Sequence, residues 1–160
     1  MSLFEDGQYR WRETYFVLFA EQDRPTAEKV VSTLKQLKQG YELKNVVADE
    51  QGRLESLTLL SHHDNAAMDV TYLSGEEVRE QVRELNDELG DVVEGPDEKK
   101  KLVQLAHCDA RFDVFHFEEV SYESDEDDEV LDPGTLLIVL ERLARACHGV
   151  GVDPQSGTLL

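Results

Sequence analysis

Apolar residues recur along this chain in two rhythms. Alternating or unbroken apolar runs predict strands, and apolar residues three and four apart predict helices. The run TYFVLFA over 14–20 predicts a first strand. Phe16 and Leu18 point one way, and Tyr15, Val17 and Phe19 the other. Asp23-Arg24-Pro25-Thr26 then opens a helix with Val30, Val31, Leu34 and Leu37 on one side and Gly40 as its stop. Strands over 41–48 and 53–61 flank the hairpin loop Asp49–Gly52. A third follows over 66–73, with Ala66, Met68, Val70 and Tyr72 on one face. Ser74 and Glu77 form a capping box ahead of Val78, Val82, Leu85 and Leu89, and Gly90 stops that helix. Gly95-Pro96 opens another helix, whose inner side is Leu102, Val103, Leu105 and Ala106. The strand over 111–119 is apolar on both faces. Phe115 and Phe117 lie on one, and Phe112, Val114 and His116 on the other. Asp132-Pro133 starts a last helix with the stripe Leu136, Leu137, Leu140, Leu143, Ala144 and Cys147. Gly149 ends it, and Val150–Val152 add a short edge strand before the turn Asp153–Gly157.

The resulting order, β-α-β-β-β-α-α-β-α-β, predicts an α+β domain with a mixed, mostly antiparallel sheet. The early part resembles a ferredoxin-like split βαβ layout, with extra helices and a C-terminal α-β extension. Residues 1–160 read as one domain. Strands that are apolar on both faces need cover on both. Two ways remain open: the later helices form a third layer, or two copies pack sheet to sheet as a homodimer.

Charge changes this picture more than composition does. The 160 residues carry 35 acids against 16 bases, a formal net charge of −19. Such a field disfavours phosphate backbones and anionic membranes and favours a basic protein surface. It excludes direct nucleic-acid binding, and the lack of a long apolar run argues against a membrane span. Two cysteines, Cys108 and Cys147, make no disulfide framework, and no secretory leader is evident. The expected compartment is therefore the reducing cytoplasm. Nine carboxylates and no base lie between Glu118 and Asp132. The stretch over 121–131 reads as an acidic surface loop, with Glu123, Asp125, Glu126, Asp127, Asp128 and Glu129 as candidate contacts to a basic partner. It lacks the central glycine of a calcium loop.

No nucleotide-binding or hydrolase motif is present, and no catalytic residue is assigned. The chemistry-bearing side chains gather at element ends: His62 and His63 in a turn, His107 and Cys108 before a strand, and His148 after a helix. Thiolate and imidazole are zinc ligands, so a small zinc enzyme or sensor is the alternative function. Metal-ligand spacing is missing, however, and Cys147 sits on an apolar stripe that packing explains. His116 reads as a core histidine rather than a general base. The leading expectation is a non-catalytic interaction or regulatory domain that uses no cofactor.

Overall fold

The computed structural model describes residues 7–37, 40–62, 65–92, 94–119, 134–153 and 158–159. Within them the chain is α+β: β1 Tyr9–Phe19, α1 Ala27–Lys35, β2 Glu42–Ala48, β3 Leu54–Ser61, β4 Ala66–Ser74, α2 Glu76–Gly90, α3 Pro96–Leu105, β5 Ala110–Glu119, α4 Gly134–Ala146, β6 Val150–Asp153 and β7 Thr158–Leu159. The strands form one seven-stranded sheet in the order β2-β3-β4-β5-β1-β6-β7. Every pairing is antiparallel. Among the described residues no helix is long and apolar enough to cross a membrane.

Three expectations are corrected by this topology. The split βαβ layout needs one strand between the two strands of its unit, whereas β3, β4 and β5 all lie between β1 and β2. The sheet is not mixed. And β6 is not an edge, since it pairs with β1 on one side and β7 on the other.

Strand faces follow the alternation. Tyr15, Val17 and Phe19 join Phe112, Val114, Met68 and Val70 on one face, beneath Val30 and Leu34 of α1 and Leu136, Val139, Leu140, Leu143 and Cys147 of α4. Phe16, Leu18 and Leu73 meet Val78, Val82 and Leu85 of α2 and Leu105 of α3 on the other. Each large apolar side chain so buried contributes about 1.5–3 kcal/mol. Helices of this same chain therefore form a third layer over the second face. A separate patch on that face, Leu60, Ala67 and Phe117 with Tyr9 and Phe115, lies away from α2 and α3.

Local chemistry sets the helix starts. The Thr26 hydroxyl accepts from the Lys29 amide at 3.1 Å and caps α1. The capping box proposed for α2 does not form. Ser74 stays in the sheet opposite Ala110, and its hydroxyl bonds Tyr72. Gly75 turns the chain at φ +117 without a side-chain cap. Asp49 accepts from the amides of Gln51 and Arg53, both at 2.9 Å, and Gly52 closes the hairpin at φ +80. Three stripe residues are also misplaced by periodicity alone: Val103 is 64% exposed, Leu137 45%, and Ala106 is exposed past the end of α3.

Candidate functional site

The acidic tract with Glu123, Asp125, Glu126, Asp127, Asp128 and Glu129 lies outside the described residues, as does His63. The other named groups can be placed. His62 follows β3 and is exposed. Its Nε2 lies 2.8 Å from Glu42 Oε2, and that contact holds the Glu42 carboxyl below its ordinary range. Ser61 pairs with Ala66, which pairs with Glu118, while Cys108 precedes the other end of β5, beside Ala110. Eight residues of strand, about 27 Å, separate those ends. His62 therefore cannot share one ion with His107 and Cys108. His107 is exposed at the end of α3, and His148 is exposed just past α4. Among the described residues no three His, Cys, Asp or Glu side chains gather in a metal-binding group.

Both thiols are satisfied inside the fold. Cys108 Sγ donates to the Gln104 carbonyl at 3.5 Å and Cys147 Sγ to the Leu143 carbonyl at 3.0 Å. Burial pushes both thiols up to about 12, with Asp109 and Asp23 adding to the effect at Cys108. A thiol that stays protonated at neutral pH is a poor nucleophile. His116 is buried at 4% exposure, and its Nδ1 lies 3.1 Å from Glu13 Oε1 across the β1–β5 pair. The two carboxylates nearest to it in sequence, Asp113 and Glu118, are engaged elsewhere. Asp113 is held by Arg111 Nε at 2.7 Å, and Glu118 takes Arg10 and Arg12.

Two buried arginines fasten elements together. Arg24 donates from Nε to the Leu54 carbonyl at 3.0 Å, meets Asp49 at 3.3 Å and stacks 3.6 Å above the Tyr72 ring centroid. It ties the end of β1 to the β2–β3 hairpin. Arg111 lies between the sheet and α2. It bonds Asp113 and Gln81, at 2.7 and 2.6 Å, and lies over Phe16. Burial raises the Asp113 pKa, and the Arg111 charge only partly offsets this.

Surface charge is divided between the helical layers. From Glu76 to Leu105, the α2–α3 layer carries ten acids against five bases, a net of −5, and all ten carboxylate residues are exposed. The helices α1 and α4 carry Glu28 and Glu141 against Lys29, Lys35, Arg142 and Arg145, a net of +2. The division is less conspicuous in the sequence than the dense acidic run over 123–129. The signal was available, since Glu76, Glu80, Glu84, Asp87 and Glu88 recur three and four apart opposite the apolar stripe of α2. No protein-family model, curated protein or solved structure matches this chain.

Proposed function

We propose that this protein is a non-catalytic interaction or regulatory domain whose acidic surface meets a basic protein partner. The observation that supports it best is the α2–α3 layer: ten exposed carboxylates, eight on the two helices that rest on the sheet and two, Asp91 and Glu94, in the connection between them. A rigid charged face gives a partner a fixed geometry and speeds encounter through long-range attraction. The tract from Glu123 to Glu129 extends the same sign of charge. Two unpaired, buried cysteines suit a cytoplasmic setting.

The test is affinity capture from a lysate of the source cells, followed by binding measurements against the captured basic protein at rising salt. Binding should fall steeply between low and physiological ionic strength, where screening lengths shrink to about 8 Å. Changing Glu80, Glu84, Asp87 and Glu88 to Gln or Asn should weaken it, as should the same treatment of Asp125, Glu126, Asp127 and Asp128. Binding that is indifferent to salt, or unchanged in both variant sets, refutes the reading. The zinc alternative is the weaker one, because His62 and Cys108 stand at opposite ends of the sheet. A sheet-to-sheet homodimer is weaker too, because α2 and α3 occupy much of the face it needs.

A further inference from the structure

We infer that the groove between α4 and β6 binds a small carboxylate with an apolar body. Its existence follows from a mismatch of widths. Seven strands span about 29 Å between edge axes, while two helices cover about 20 Å of each face. Among the described residues, the space left on the α1–α4 face opens beside α4, over Gly151 of β6. There Gly151, paired with the core-facing Val17, supplies no side chain to fill it. The groove holds about 530 Å³, within the usual range for small-molecule sites. Leu137, Leu140 and Ala144 make its wall apolar.

The mouth is polar and favours an anion. Arg145 and His148 stand there against the single carboxylate of Glu141. Arg145 meets Glu141 at 2.9 Å, which leaves most of its five N–H donors available. The Gln104 amide donates to the His148 carbonyl and braces the turn. The layer behind the groove has the cationic excess described above, on a chain that elsewhere repels anions.

The position of His148 is itself unusual. The helix ends in a Schellman arrangement: the Gly149 amide donates to the Ala144 carbonyl at 2.7 Å and the His148 amide to Arg145 at 3.4 Å. The left-handed residue of that motif is ordinarily glycine, yet here it is His148 at φ +52. Glycine comes one place later because a Cβ at 149 would sit 2.5 Å from the Leu18 carbonyl oxygen. The turn accepts a strained histidine and thereby places His148 in the lining of the groove.

The test uses octanoate as probe, with 1-octanol as the uncharged comparator, followed by amide NMR shifts of the full chain. Octanoate should give saturable shifts at Leu140, Ala144 and His148–Gly151. Leu137→Glu, at an exposed position, should weaken it at least about ten-fold. Arg145→Gln, also exposed, should weaken octanoate while leaving octanol unchanged, and the dispersion of the spectra verifies folding of both variants. The inference is overturned by the lack of saturable shifts at millimolar octanoate, by shifts that map elsewhere, or by octanol binding as well as octanoate. Gln104 alone of its lining comes from the α2–α3 layer, and none of that layer's ten carboxylates lines it, so either reading can fail alone.

Discussion

The two helical layers hold the same sheet by different means. α1 and α4 lie on a continuous apolar surface, where Leu34, Leu136 and Leu143 are all within 1% of complete burial. α2 and α3 rest on a smaller apolar cluster, and α2 is joined to the sheet by a polar network as well: Arg111 reaches Gln81 and Glu77 from a strand. A wide apolar contact is stabilising and indifferent to salt. A narrow one beneath a charged outer face contributes less and leaves that face in solvent. One layer buries the larger apolar cluster, and the other presents the more negative surface.

The sharpest way to break this contrast is to truncate each layer. Leu143→Ala in α4 should cost toward the upper end of the usual range of about 2–5 kcal/mol, since the site is packed on all sides. Leu85→Ala in α2, at 9% exposure, should fall toward its lower end. Urea unfolding of the two variants measures both, and equal losses would erase the asymmetry. Next in size is Gly149→Ala. Its new methyl would press on the Leu18 backbone and on Cys147, costing about 1–3 kcal/mol by overpacking. A variant as stable as the parent would show that α4 can shift on the sheet.

The smallest effect concerns the polar joint under α2, and it is read as a sign. Burial raises the Asp113 pKa above that of the unfolded chain, despite Arg111. The folded state then binds the proton more tightly. Its contribution is fully present below the ordinary aspartate value of about 4 and is lost as pH rises through the folded pKa. Asp113→Asn removes that loss. The variant should gain stability on the parent as pH rises from 3 to 7, as measured by thermal melts across that window. A gain that instead runs toward low pH would mean that the Arg111 contact dominates.

The sequence was legible wherever the physics is local. Residues that alternate in β1 and β5 could be sorted onto faces without coordinates, because a strand has a period of two. The segment before α1 offers Asp23 and Thr26 as caps, and Thr26 takes the role. Ser74 carried an equally good capping signature and failed, because β4 runs one residue further and Tyr72 takes its hydroxyl. Val103 and Leu137 matched a helical stripe but face outward, because stripe width depends on what lies opposite. The histidines and cysteines at element ends formed a set only on paper. Which ends meet is a matter of strand order.

By itself, then, the sequence determined the main elements apart from β7, the two-faced strands, the heavy negative charge and the place of Cys147 on an apolar stripe. Each depends on a residue and its near neighbours. Only the tertiary structure decided that β1 lies between β5 and β6, that α2 and α3 close the second face, that His62 and Cys108 stand at opposite ends, and that a groove opens beside Gly151. Those outcomes depend on contacts between residues distant in the chain, and no local period encodes them.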